Sequence, residues 1–303
     1  MSRGHNAHRF HGSRNCIITE EMVFCMDGHL VWDIDPVLFS VGSFAVRYYS
    51  LCWLAAFASC YFVMRSIFRR EGLSTDNLES LLIYVFIGTF VGARLGHCLF
   101  YETHFYLTHP WRIVLPIYER SDGSWGFGFM GLASHGAAVG IIVSLILYAR
   151  RYRFPMWDLL DKLGVVAPLG GAFIRLGNFF NSEILGAPSD SPLAIVFSRV
   201  DPLPRHPAQL YEAVGYFAIF AVVYAVYRYR HQKVGAGYFF GLSIALIFGL
   251  RFVVEFFKEV QEPFEESLRA WLSIDMGQLL SIPFILAGIA VMALRRKHVL
   301  KQS

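Results

Sequence analysis

The chain has 303 residues, of which 55% are hydrophobic and 17% charged, and its mean hydropathy is +0.45. That is far too apolar for a soluble globular domain and points to a polytopic membrane protein. The net charge of +4 does not mark a nucleic-acid binder, because the basic residues sit in short clusters beside apolar segments rather than along one soluble face.

Residues 1–25 are polar, carry His5, His8, His11, Cys16 and Cys25, and lack the apolar core of a signal peptide. They read as a disordered or spurious N-terminal extension, upstream of a start at Met26. The three histidines are irregularly spaced with no fold around them, so no metal site is expected. The five cysteines form no C-x-x-C pair, and Cys52, Cys60 and Cys98 lie inside apolar runs where a free thiol packs as a small hydrophobe.

Residues 26–303 then read as one transmembrane domain. Apolar runs of spanning length at about 43–64, 80–101, 132–149, 157–179, 209–227, 236–257 and 276–294 predict an all-α integral membrane protein with about seven helices. Arg65, Arg69 and Arg70 follow the first run, and Arg150, Arg151 and Arg153 separate the third from the fourth. Arg228, Arg230 and Lys233 separate the fifth from the sixth, and Arg295, Arg296 and Lys297 follow the last. Positive charge concentrates on the cytoplasmic side, so the N-terminus is expected outside and the C-terminus in the cytoplasm. The segment from about 102 to 131, with Trp111, Tyr118, Trp125 and Phe127, has the composition of a membrane interface. The loop from about 180 to 208 is too long and proline-rich for a tight turn, and is expected to form a small extracytoplasmic cap.

Polar residues gather at one depth in this topology. At 1.5 Å per residue, Arg175 stands roughly 27 Å beyond Trp157, and Arg94 and Arg251 roughly 21 Å beyond Ser80 and Gly237. All three reach the outer half of the bilayer, level with His135 at the start of the third helix and Tyr49 in the first. An arginine in a membrane span is costly and calls for a partner, a watery cavity or an anionic ligand. Arg251 and Glu255 are spaced i, i+4, which permits an ion pair. Taken singly, each group has a structural explanation as an internal pair or a snorkelling side chain. Together, arginines at one outer-leaflet level suit a phosphate or carboxylate, because guanidinium offers a planar fork of donors. Glycines around them (Gly92, Gly96, Gly171, Gly177, Gly249) allow close helix approach or room for a ligand. Pro207 opens a helix, which leaves Arg205, His206, Gln209 and Glu212 beside it without a structural explanation.

Five segments carry a family resemblance: R-L-G-N-F-x-N-x-E-x-x-G (Arg175 to Gly186), S-H-G (134–136), L-P-R-H-P-x-Q-L-Y-E (203–212), G-x-R-x-G-x-x-L-F-Y (92–101) and R-x-x-x-E-F-F (251–257). Together they resemble the bacterial phosphatidylglycerol–prolipoprotein diacylglyceryl transferase family over about residues 31–297. The resemblance implies a catalytic domain in the bacterial cytoplasmic (inner) membrane, with no metal and no cofactor. Its implied substrates are phosphatidylglycerol, drawn from the lipid bilayer, and the lipobox cysteine in the signal peptide of a preprolipoprotein. Arg175 and Arg251 match the family's essential arginines, His135 its motif histidine, Asn178 and Gly186 further signature positions, and Tyr49 a tyrosine of the first helix; Glu183 and Glu255 also match. Ile247 stands where some members have a tyrosine one turn before the second arginine.

The implied reaction is S-alkylation. A thiolate attacks the glyceryl carbon that bears the phosphate, and glycerol phosphate leaves. Arg175 and Arg251 are assigned to the phosphate with Arg94 as a helper, and His135 is assigned as the base or orienting group. Asn178, Asn181 and Glu183 are assigned to position the headgroup or an arginine, and His206 is a further candidate contact. The competing interpretation is a polytopic anion or lipid transporter using the outer-leaflet arginines. Against it, the polar residues cluster on one side of the membrane rather than through its full depth.

Overall fold

The structure is a computed structural model and describes residues 16–17, 23–25, 28–41, 44–115, 117–119, 125–127, 133–259 and 274–299. In chain order its helices are α1 (Tyr48–Arg70), α2 (Thr75–Phe100), α3 (Thr103–Thr108), α4 (Ser134–Arg151), α5 (Met156–Phe180), α6 (Ala208–Arg230), α7 (Tyr238–Val254) and α8 (Met276–Val299). Each expected apolar run has become a helix. Among the described residues, six helical segments are long and apolar enough to cross a membrane: Tyr48–Arg70, Thr75–Phe100, Met156–Phe180, Ala208–Lys233, Tyr238–Phe257 and Met276–Arg295. α4 stands where the third run was expected; it has 18 residues, of which the last two are Arg150 and Arg151. Large apolar side chains such as Leu54, Phe62, Phe86, Val139, Val214 and Leu286 remain exposed on these helices. Exposure on that scale belongs to a chain whose surroundings are lipid. This is an all-α integral membrane protein.

Short strands decorate the helices: β1 (Cys16–Ile17), β2 (Val23–Cys25), β3 (Leu30–Trp32), β4 (Val37–Val41), β5 (Phe44–Arg47), β6 (Ile117–Glu119), β7 (Trp125–Phe127), β8 (Ile195–Phe197) and β9 (Pro204–Arg205). Within the segment 1–25, expected to lack structure, β1 and β2 pair antiparallel and β2 continues onto β3; the remainder of that segment lies outside the described residues.

The chain divides into two compact units, residues 1–60 with 161–303, and residues 61–160. In the first unit α7 is started by a carboxylate from another helix. Asp161 of α5 accepts from the backbone N–H of Gly237 at 2.7 Å and of Phe240 at 2.9 Å. These are among the amide protons that a helix N-terminus leaves unsatisfied, and a negative charge there is also favoured by the helix dipole. Ser243 then hydrogen-bonds to Gly164 O at 2.6 Å and fixes the depth of α7 against α5. At its other end α5 stops by a left-handed residue. Ser182 has φ of +54°, its N–H bonds to Phe179 O and the Glu183 N–H reaches back to Asn178 O at 2.9 Å. This is the hydrogen-bond pattern of a helix reversed by a residue in the left-handed region.

The expected cap after α5 is a small sheet rather than a free loop. β3 pairs in parallel with β8, Leu30 opposite Ile195 and Trp32 opposite Phe197, and β8 pairs antiparallel with β9. Phe179, Ile195 and Phe197 form its buried centre, with Leu30, Trp32, Leu185 and Leu210 packed around them. The aromatic rings of Trp32 and Phe179 lie 4.2 Å apart, so the end of α5 is fixed by apolar packing at the point where the polar motif begins.

The second unit rests on close contact of α2 with α4. A Cβ added to Gly96 would lie 2.7 Å from Gly136 Cα, and one added to Gly136 would meet Gly96 Cα at the same distance. Only glycine permits that approach, the device by which membrane helices pack without a hydrophobic driving force.

Candidate active site

In the first unit, the end of α5, the cap, the start of α6 and the end of α7 bring most of the expected site residues together. Arg175 leaves the last turns of α5. Its Nη1 donates to Asn178 Oδ1 at 3.2 Å, and Asn178 Nδ2 in turn donates to Glu183 Oε2 at 3.1 Å. Asn181 Nδ2 holds the other carboxylate oxygen of Glu183 at 3.0 Å. Gln209, wholly buried at the start of α6, donates to the backbone carbonyl of Glu183 at 2.5 Å. Glu183 therefore serves as an exposed anchor, steadied by Asn181, and Asn178 links it to Arg175. Ile184 follows with φ of +58°, a conformation that costs a β-branched residue free energy and persists only where its surroundings impose it.

The partner of Arg175 comes from α6. Its Nε stands 2.6 Å from Glu212 Oε2, and the Glu212 side chain is 0% exposed. The separation makes this an ion pair, but the geometry is not that of an aligned hydrogen bond, because Oε2 has no hydrogen-bond partner among the described residues. Glu212 Oε1 lies 3.0 Å from Lys258 Nζ, and Lys258 also approaches Glu255 Oε2 at 3.4 Å. Tyr216, one turn beyond Glu212, lies close enough to Glu212, Arg175 and Arg251 for their charges to act on its hydroxyl. Its ring lies over Gly171, where a Cβ would come within 3.2 Å. Tyr49 of α1 packs in the same way on Gly177, where a Cβ would lie 2.7 Å from Tyr49 Cδ2. Two of the expected glycines thus make room for tyrosine rings.

Arg251 differs from Arg175. The spacing of Arg251 and Glu255 permits an ion pair, but Glu255 is turned to Lys258, and its carboxylate lies against Gly277 at the start of α8, where a Cβ would be 2.7 Å from Oε2. Among the described residues Arg251 has no carboxylate partner, and its buried Nε has no hydrogen-bond acceptor. Gly249, two residues earlier, has nothing within 4 Å of where a Cβ would stand.

Gly186 and His206 belong to the cap's hinge with the end of α7. Gly186 N–H donates to His206 O and Ala187 N–H to Phe257 O, each at 2.9 Å, and Gly186 forms an antiparallel bridge with Lys258. His206 has its Nδ1 3.0 Å from the Tyr211 hydroxyl and its ring 5.1 Å from that of Phe257. Arg205 closes the arrangement. It contacts Asp201 at 2.6 Å and Glu259 at 2.7 Å, and its Nη1 donates to Gly186 O at 3.3 Å. Hydrogen bonding to Arg205 holds the Asp201 carboxyl below its ordinary value, against the opposing effect of burial, and the same bond raises the Arg205 guanidinium.

Arg94 and His135 belong to the second unit. Arg94 is buried; its Nε donates to Ile113 O at 3.1 Å and its Nη2 to Arg112 O at 2.6 Å, and its guanidinium lies 4.9 Å from the centre of the Tyr106 ring. These contacts tie Arg94, the expected phosphate helper, to the segment that runs from α3 to Ile113. Burial pushes the Tyr106 phenol up, with Arg94 opposing. His135 is the second residue of α4 and is exposed, with its ring 5.4 Å from Phe100 and 5.7 Å from Tyr101.

Sequence reasoning missed Lys258 entirely and left Glu212 and Gln209 unexplained. The one signal for Lys258 was its i, i+3 spacing from Glu255.

The family profile described as prolipoprotein diacylglyceryl transferase matches residues 36–294. The chain belongs to the prolipoprotein diacylglyceryl transferase family. It is 44% identical to the phosphatidylglycerol–prolipoprotein diacylglyceryl transferase of Bacteroides fragilis over 262 residues, covering 86% of this chain and 93% of that protein. Identity to the protein of the same name from Tolumonas auensis is 44% over 272 residues, 89% of this chain and 98% of that one. A Chloroherpeton thalassium relative, also so named, is 37% identical over 262 residues, 86% and 92% of the two chains. Membership makes this chain a transferase, and the arginine cluster is its candidate active site.

Proposed function

We propose that this transferase moves the diacylglyceryl group of phosphatidylglycerol onto the thiol of a lipobox cysteine in a preprolipoprotein signal peptide. Arg251 carries the proposal: a buried guanidinium nitrogen without an acceptor, on a cation without a carboxylate partner among the described residues. Leaving a cation in that condition is costly, and an anionic ligand removes the cost. A phosphate bound there would be shared with Arg175, which keeps its orientation through Asn178 and Glu183.

In the reaction the cysteine sulfur forms a bond to the glyceryl carbon while that carbon's bond to the phosphate oxygen breaks. The electron pair leaves with the oxygen, and glycerol phosphate departs. No acyl bond changes. The leaving group gains charge in the transition state, so fixed cations accelerate the step by holding it more tightly there than in the substrate. The thiol, with an ordinary pKa of about 8.5, must lose its proton for sulfur to attack efficiently, and we assign His135 to receive or orient it on the strength of the S-H-G motif. The site is assigned to the outer leaflet of the bacterial cytoplasmic membrane, where both substrates are reached laterally, with the N-terminus outside.

The test is thioether formation by purified variants. Arg251→Ala and Arg175→Ala are expected to lose activity by about a hundredfold or more, the scale of losing one preorganised donor to developing charge. Either variant turning over at the rate of the unmodified protein would sink the phosphate assignment. Unchanged activity in His135→Gln would remove the histidine from the proton transfer.

A further inference from the structure

Lys258 is a residue that the phosphate reading does not use, although it is built into the site with care. Its ammonium bridges two carboxylates, Glu212 at 3.0 Å and Glu255 at 3.4 Å. Its backbone is clamped to the cap by the bridge with Gly186. Counting formal charges over the five groups, Arg175, Arg251 and Lys258 supply three positive and Glu212 and Glu255 two negative. The balance is one positive charge, the complement of a single phosphodiester anion. Without Lys258 the balance is zero, and Glu212, wholly buried, would set its full charge against Arg175.

Resting on the phosphodiester reading above, we propose that Lys258 is a positioning residue that occupies Glu212 and thereby leaves the positive charge of Arg175 available to the lipid phosphate. The cap delivers this lysine. Ala187 N–H to Phe257 O and Gly186 N–H to His206 O, both 2.9 Å, bring the chain around Lys258 onto the cap, so docking of the cap and the charge of the site are coupled. A surface ion pair would add little, but this carboxylate is shielded from water and its partner decides what field the ligand meets.

The prediction is that activity follows the charge of the group and not the identity of the side chain. Lys258→Gln keeps a hydrogen-bond donor for Glu212 but lowers the balance to zero. Its kcat/KM for thioether formation is expected to fall on the order of tenfold, chiefly in kcat because the leaving phosphate gains charge in the transition state. Lys258→Arg preserves the balance and is expected near the unmodified protein. The decisive variant is Lys258→Gln combined with Glu212→Gln, which restores one positive charge and is expected to recover most of the loss. A purely structural role gives the opposite result, a double variant worse than the single.

The proposal is overturned if folded Lys258→Gln keeps full kcat/KM, or if the folded double variant is no better than the single. If Lys258→Gln does not fold, the double variant alone decides: activity within about tenfold of the unmodified protein supports the proposal, and a folded but inactive double, or one that also fails to fold, overturns it. Failure of the phosphodiester reading looks different, because the unmodified protein would then form no thioether from phosphatidylglycerol at all.

Discussion

Gly186→Ala isolates the hinge between the cap and the end of α7. A Cβ at Gly186 would stand 2.5 Å from His206 O, 2.6 Å from His206 Cβ and 2.6 Å from Phe257 O. Two of these are backbone atoms, one on each side, so no side chain can swing away to make room. Relief requires one strand to withdraw by about 1 Å, and overpacking of this kind costs on the order of 1–3 kcal/mol. The withdrawal also weakens the Gly186 N–H bond to His206 O and the Ala187 N–H bond to Phe257 O, each worth about 1 kcal/mol. A local cost of about 3 kcal/mol parts Gly186 from Lys258 and frees the lysine from Glu212. With the lysine released, kcat/KM for thioether formation is expected to fall on the order of tenfold, as in Lys258→Gln. Limited proteolysis across 187–206 should become faster in parallel. Unchanged kcat/KM together with unchanged protection of the cap would refute the steric argument.

Three further predictions concern other contacts of the fold. Gly96→Val should force α2 from α4 at Gly136 and lower the thermal midpoint in detergent; an unchanged midpoint would contradict the close approach. The Asp201 carboxyl is held below its ordinary value by Arg205, so its contribution is complete above the unfolded value near 4 and disappears as pH falls through the lowered folded value. Raising the Arg205 guanidinium matters only in strong alkali. Protection factors for hydrogen exchange of residues 187–206, which remove the intrinsic pH dependence of exchange, should therefore be steady from pH 5 to 8 and fall only in acid below about 4, and a loss of protection between pH 5 and 7 would contradict this. Gln209→Leu removes the donor to the Glu183 carbonyl and should loosen the turn that aims Asn178 and Arg175. It is expected to cost about 1–3 kcal/mol of stability with lowered activity, read by thermal unfolding and thioether assay.

Helix positions were legible because a span needs a long, continuous apolar run, and such runs survive without knowledge of their neighbours. α5 was anticipated at 157–179 and spans Met156–Phe180. The polar motif was legible for the opposite reason: Arg175, Asn178 and Glu183 are conspicuous in apolar surroundings, and local spacing alone brings them together. Long-range pairings were not legible. The parallel match of Leu30 with Ile195 joins short strands far apart in sequence, neither carrying a turn or periodicity that names the other. The partner of Glu255 was not legible: i, i+4 spacing on a helix permits Arg251, whereas the α-helix tightens to a 3-10 turn at Glu255–Phe257 and brings Lys258 to it at i, i+3. The contacts of Arg94 with the carbonyls of Arg112 and Ile113 were not legible either, because depth alone does not reveal a partner from another segment.

The central claim is that this site alkylates a cysteine thiol with the diacylglyceryl group of phosphatidylglycerol. Its most direct test is mass spectrometry of a lipobox peptide incubated with the purified protein and phosphatidylglycerol of defined acyl chains. The account predicts a peptide heavier by one diacylglyceryl group, resistant to thioester cleavage, with equimolar glycerol phosphate released. Release of glycerol phosphate without a heavier peptide, or no reaction with phosphatidylglycerol, would contradict it.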